Sequence, residues 1–138
     1  MVKSRREMMN QALKKVMIPY LRQKGFKGSF PHFRRMTEIN IELITFQFNK
    51  WGGSFVVELA ASPIQGVTMT WGEQIPPNKV TAHDINERYR LGAKSGDGIW
   101  FDFENAENEQ DYEKVASHVL DLLMITDISQ VTQSLNKW

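Results

Sequence analysis

INIELITFQFNKWGGSFVVELAAS, Ile39 to Ser62, is the stretch that decides the fold. Two apolar runs alternate with period two, which is the pattern of strands. Gly52 and Gly53 sit between them, and glycine supplies the positive φ that a tight reversal requires. The stretch therefore predicts a β-hairpin. Its first run is irregular: Ile39, Ile41 and Leu43 share one parity, whereas Ile44, Phe46 and Phe48 share the other. One extra residue in a strand flips every later side chain, so the switch predicts a β-bulge at Leu43–Ile44, the alternative being a strand covered on both faces. The second run places Phe55, Val57, Leu59 and Ala61 on one side. Trp51, in the turn, is expected to fold back over the hairpin end as an apolar cap, the alternative being an anchor for something outside the protein.

Outward from the hairpin, the N-terminal side reads as a helix. Ser4 and Glu7 form a capping-box pattern, and Met9, Leu13, Val16, Met17 and Tyr20 line one helical face. Gly25 suits a C-terminal stop with Phe26 as its apolar contact, and Pro19 predicts a kink or break near Ile18. A short strand follows at Phe33 to Met36. Beyond the hairpin, Met69 and Trp71 suggest a short strand, IPPNK a break, and Tyr89 to Gly92 another short strand. SGDG, Ser95 to Gly98, reads as a turn before the strand IWFDF. Tyr112, Val115, Ala116, Val119, Leu122 and Leu123 then mark a helix, and a second short one is predicted after Asp127. Helix, strands, helices in that order predict an α+β fold, with an antiparallel sheet of about four to five strands and the C-terminal helices packed on one face. The 138 residues read as one domain, 1–138.

Composition narrows the chemistry. With no cysteine, disulfides, thiolate nucleophiles and cysteine zinc sites are excluded. No apolar run suggests a secretory signal or a membrane span, and a cytoplasmic location is the expectation. Neither glycine pair has phosphate-loop spacing, no G-x-S-x-G elbow occurs, and His32, His83 and His118 lack metal-ligand spacing. No catalytic residue, metal or cofactor is therefore expected. His83 and Asp84, if neighbours on a strand, would point apart.

Charge is the unusual feature. Net charge is +1, yet through Arg35 there are ten basic residues and one acid, Glu7, a local +9. From Asp97 to Asp127 there are nine acids and one base, Lys114, a local −8. The two ends are expected to approach and partly neutralise; the other reading is that each faces a partner. Arg34 and Arg35 would face opposite sides of a strand, so one must pair with an acid, snorkel or bind a ligand. Arg88 and Arg90 share a face, and Arg35 or Arg90 beside Gln47 and Trp51 would form a polar, aromatic patch, with Trp100 as a further aromatic probe. Asp102, Glu104, Glu107, Glu109 and Asp111 would form an acidic docking surface.

Several motifs together resemble a known family. They are K-x-x-x-I-P-x-L-x-x-K-G-F at Lys14 to Phe26, F-R-R at Phe33 to Arg35, F-Q-x-x-x-W-G-G-S-F at Phe46 to Phe55, R-L-G at Arg90 to Gly92, and the Ile99–Trp100–Phe101 strand. This set resembles the bacterial domain-of-unknown-function family four-three-zero-four, with Trp71 to His83 departing from the pattern. The resemblance implies an α+β bacterial cytoplasmic protein and implies no catalytic residues. The leading functional expectation is a non-enzymatic domain that binds another protein, in concrete form an immunity-type protein whose acidic C-terminal third docks on a basic toxin. The alternatives are nucleic-acid or anionic-ligand binding through the basic N-terminal helix with Arg34 and Arg35, and an enzyme of unrecognised type.

Overall fold

The computed structural model describes residues 3–92 and 99–136. The SGDG turn and Trp138 lie outside the described residues. Helix α1 (Arg5–Gln23) begins at the predicted capping box: Ser4 Oγ accepts from Glu7 N–H, and Glu7 reaches back to the Ser4 N–H. It ends in a Schellman arrangement in which Phe26 N–H donates to Leu21 O at 2.9 Å and Gly25, at φ 90°, makes the reversal. Of the kink or break predicted near Ile18, the break does not occur, for α1 runs through Pro19. Burial of Met17 and Leu21 on either side of Pro19 supports the helix there at the cost of one backbone hydrogen bond.

The strands that follow are β1 (Lys27–Ser29), β2 (His32–Met36), β3 (Ile41–Phe48) and β4 (Ser54–Ser62). A hairpin of β5 (Val67–Thr68) and β6 (Gln74–Ile75) forms a separate small sheet, followed by a 3-10 turn at Ala82–Asp84. Strands β7 (Tyr89–Arg90) and β8 (Phe101–Asp102) and helices α2 (Glu109–Ile125) and α3 (Ile128–Ser134) complete the fold. The main sheet is antiparallel throughout, in the order β1-β2-β3-β4-β7, and β8 also pairs with β4. β7 and β8 thus use successive stretches of one edge of β4, with Leu91 N–H donating to Val57 O between them.

The bulge predicted at Leu43–Ile44 is absent. Pairing of β3 with β4 is unbroken from Ile41↔Ser62 to Phe48↔Phe55. The parity switch arises because both faces of the hairpin are covered. Toward the helices, Phe33, Ile44, Phe46, Phe55, Val57 and Leu59 pack with Leu13, Met17, Ala116 and Val119. On the other face, Ile41, Leu43 and Ala60 pack with Val80 and Ala82, and β5, β6 and Ile85 close over them. The strand predicted around Met69 and Trp71 is also corrected. Those residues form the β5–β6 turn, closed by Gly72 N–H on Met69 O and Met69 N–H on Glu73 O.

Helices α1 and α2 pack against each other, and α3 packs on β3 and β4. This brings the oppositely charged ends together in part: Lys15 Nζ lies 3.8 Å from Glu109 and 3.3 Å from Glu113. These contacts are exposed, where an ion pair contributes about 0–1 kcal/mol. Asp127 caps α3 by accepting from Gln130 N–H at 3.0 Å, as predicted. No helix among the described residues is long and apolar enough to cross a membrane.

Candidate functional site

Two surfaces gather most of the candidate residues, and both lie along β4. The first is the β3–β4 turn. Asn49 N–H donates to Ser54 O, Gly52 N–H to Asn49 O, and Trp51 N–H to the Asn49 side-chain oxygen, each at 2.9 Å. Gly52 and Gly53 adopt φ of 92° and 78°, so the reversal relies on glycine. The pinned turn holds Trp51 84% exposed, with Lys50 Nζ 5.0 Å from its ring centroid. The expected apolar cap is therefore not formed. The hairpin end is already filled by Phe48, Phe55, Phe101 and Phe103, and the Arg6 guanidinium covers Phe48 at 4.9 Å.

The acidic segment starts beside this turn. Asp102 pairs with Ser54 across the sheet, and Phe103 N–H donates to Gly53 O at 2.9 Å. A side chain at Gly53 would collide with the Glu104 carboxylate, so that acid lies directly over the turn. Two of the five candidate acids have local structural partners. Asp102 accepts from Glu104 N–H at 2.7 Å, and Asp111 accepts from Glu107 N–H at 2.9 Å. Glu109 lies near Lys15, and Glu104 and Glu107 are exposed. Arg5 donates to Ala106 O within the same segment, so cations of α1 border the acids.

The second surface is on the sheet face away from the helices. Cross-strand register sets His32 beside Thr45, Thr45 beside Glu58, and Glu58 beside Arg90. His32 Nδ1 and Thr45 Oγ1 are 3.0 Å apart. Glu58, buried at 3% exposure, accepts from Arg88 at 3.4 Å and Arg90 at 3.5 Å. The Arg90 guanidinium also covers the half-exposed Trp100 ring at 5.2 Å. Gln47 is exposed on this same face, opposite Val56. The His32 imidazole has its pKa lowered, first by burial, then by His83 and Arg34, with Asp84 opposing. The His83 ring meets His32 edge-on at 5.2 Å from the 3-10 turn, where His83 and Asp84 are not strand neighbours.

Arg34 and Arg35 do face opposite ways. Arg34 donates to Val80 O at 3.0 Å and ties the cover of the second face to the sheet. Arg35 faces the helices and pairs with Glu42 at 2.7 Å, donates to Lys24 O at 2.8 Å and lies over Phe26 at 4.5 Å. The sheet thus separates Arg35 from Gln47 and Arg90, and these three do not share a site. Sequence reasoning passed over Thr45, Glu58 and Glu42. The available signal was a single charged residue in each largely apolar strand, Glu42 in β3 and Glu58 in β4. Such an acid, once buried, requires a partner. Among the described residues no group of three or more His, Asp or Glu side chains is placed to hold a metal ion.

These features define a small α+β domain in which an antiparallel sheet carries an aromatic turn bordered by charge. The chain belongs to a family whose model is described as Domain of unknown function (DUF4304), matched over residues 17–132. No curated protein and no solved structure matches it.

Proposed function

We propose that this chain is a non-catalytic, cytoplasmic protein-interaction domain whose docking surface is the β3–β4 turn with the neighbouring acidic segment. The observation that carries this reading is the 84% exposure of Trp51 on a turn pinned by three hydrogen bonds. A tryptophan held outward in a fixed turn suits an interface anchor, because little side-chain or backbone freedom remains to be lost on binding. Glu104 over the turn, with Glu107 exposed in the same segment, favours a basic partner and faster encounter through charge complementarity. In its concrete form the domain is a bacterial immunity-type protein that neutralises a basic toxin.

The nucleic-acid reading has less support. Its two signature arginines are engaged internally, Arg34 on Val80 O and Arg35 on Glu42. A pull-down from the native host at low salt, run with the wild type and Trp51→Ala, tests the proposal. A basic protein retained by the wild type and lost with a normally folded Trp51→Ala variant is the expected result. Retention of no protein at low salt, or equal retention by both, overturns it. A salt-sensitive gel shift with nucleic acid would favour the alternative.

A further inference from the structure

We infer that the 3-10 turn Ala82–Asp84 is an acid-released cover: protonation of the His32–His83 pair drives the turn off the sheet and opens the smaller apolar cluster beneath it. This does not depend on the docking surface proposed above, which lies at the β3–β4 turn.

His32 sits at the seam between this cover and the sheet. Val80 and Ala82 pack on Ile41, Leu43 and Ala60. Arg34, on the same face of β2 as His32, donates to Val80 O at 3.0 Å. The His83 ring approaches from the turn, with ring centroids 5.2 Å apart.

Charge at the seam is one-sided. Around His32 stand Arg34 on β2 and His83 and Asp84 on the turn. β1 places Ser29 opposite His32 and Lys27 opposite Arg34. Beyond Thr45 lies Glu58, whose carboxylate is shared by Arg88 and Arg90. Asp84 favours a cation at His32, but burial, His83 and Arg34 outweigh it. Asp84 Oδ2 also accepts from Thr81 N–H at 2.9 Å. His83 is exposed, so its cation can stay hydrated. His32 is half-buried, and its cation would face both His83 and Arg34 with less water to screen them.

The seam opens on the side of the turn. His32 Nδ1 and Thr45 Oγ1 are 3.0 Å apart, and an imidazolium N–H can donate to that hydroxyl. Protonation therefore keeps the contact with β3, and the repulsion falls on His83. Strand pairing fixes His32 between Ser29 and Thr45, whereas the turn belongs to neither sheet. Opening takes His83 away from His32 and admits water, so the open form binds the proton more tightly. Acid therefore favours opening below the ordinary histidine value.

Amide exchange of the full chain, followed by NMR and corrected for the intrinsic chemical rate, tests the inference. Val80 N–H donates to Pro76 O and Ile85 N–H to Ala82 O. Bonds of so short a turn do not persist without packing, so both amides report on the cover. Their protection should depend weakly on urea, as for a local opening, and that of Val119 in the core of α2 steeply. From about pH 8 to about 5.5, protection of Val80 and Ile85 should fall severalfold, one histidine supplying at most about tenfold over that span. His32→Gln and His83→Gln should each remove most of the fall. Asp84→Asn keeps an acceptor for Thr81 N–H and should enlarge the fall, because it removes the acid that offsets the repulsion. His83→Gln alters an exposed ring, so the test stands if His32→Gln folds poorly. No fall in the wild type, a fall unchanged in either well-folded glutamine variant, or a urea dependence at Val80 equal to that at Val119 overturns the inference.

Discussion

Arg35 and Glu42 meet at 2.7 Å on the helix-facing side of the sheet, where the Glu42 side chain is 1% exposed. They are cross-strand partners in β2 and β3, so backbone register brings them together before any side chain adjusts. The second Glu42 oxygen accepts from Thr132 Oγ1 at 2.8 Å, and Thr132 in turn lies 3.4 Å from Asn40 Nδ2. This polar chain ties α3 to the sheet. Both carboxylate oxygens are occupied, which is what makes so buried an acid tolerable.

Arg35→Ala should therefore be severely destabilising, by about 3 kcal/mol, because it strands a charge in the interior. Combining Arg35→Met with Glu42→Leu should cost less than Arg35→Ala alone. Urea denaturation of the three proteins checks this, and equal losses would contradict it.

Trp51→Ala should change stability by no more than about 0.5 kcal/mol, because the exposed ring supports no core contact. A loss of 2 kcal/mol or so, as for a buried aromatic, would restore the cap that the sequence suggested. Thermal denaturation distinguishes the two.

Gly53→Ala should destabilise by about 1–2 kcal/mol through the positive φ at that position. The Glu104 carboxylate must also move aside, so the substitution should displace the acid that lies over the turn. The double variant with Glu104→Ala should recover the part due to collision and retain the part due to backbone. Melting temperatures of the two single variants and the double variant measure both parts.

His32 sets an acid limit on stability. Its folded pKa lies below the ordinary 6.5, so the unfolded chain binds the proton more readily. Stability from this group is complete above the unfolded value and is lost as pH falls through the folded one. His32→Gln should therefore flatten the decline in stability as pH falls below the ordinary histidine value, relative to the wild type. A parallel decline in both proteins would assign the effect to other groups.

The legibility of the fold followed from how local its causes are. The α1 capping box, the Gly25 stop and the Asp127 cap are interactions between near neighbours, and each stands where the sequence places it. The hairpin and the apolar stripe of α2 were legible for the same reason. The parity switch at Leu43–Ile44 was visible, but its cause was not. Choosing between a bulge and a two-sided cover depends on where Val80 and Ala82 return, which is a contact far along the chain. β1 carries only Lys27, Gly28 and Ser29 and has no strand signature of its own; pairing with β2 makes it a strand. At the candidate site, Arg88 and Arg90 could be picked out as residues of one face, but their shared acceptor Glu58 lies thirty and thirty-two residues away in the chain. Trp51 does not form the cap that the turn suggests, because the space at the hairpin end is taken by phenylalanines and by Arg6.

The two-sided burial of β3 and β4 makes the hairpin a party wall between two chambers. Ile44, Phe46, Val57 and Leu59 belong to the helical chamber, and Ile41, Leu43 and Ala60 to the smaller one. Their side chains leave opposite sides of the same backbone and, among the described residues, share no packing neighbours across it. Damage in one chamber should therefore add to damage in the other without amplifying it. The smaller chamber can then be reshaped while the helical one keeps the domain folded.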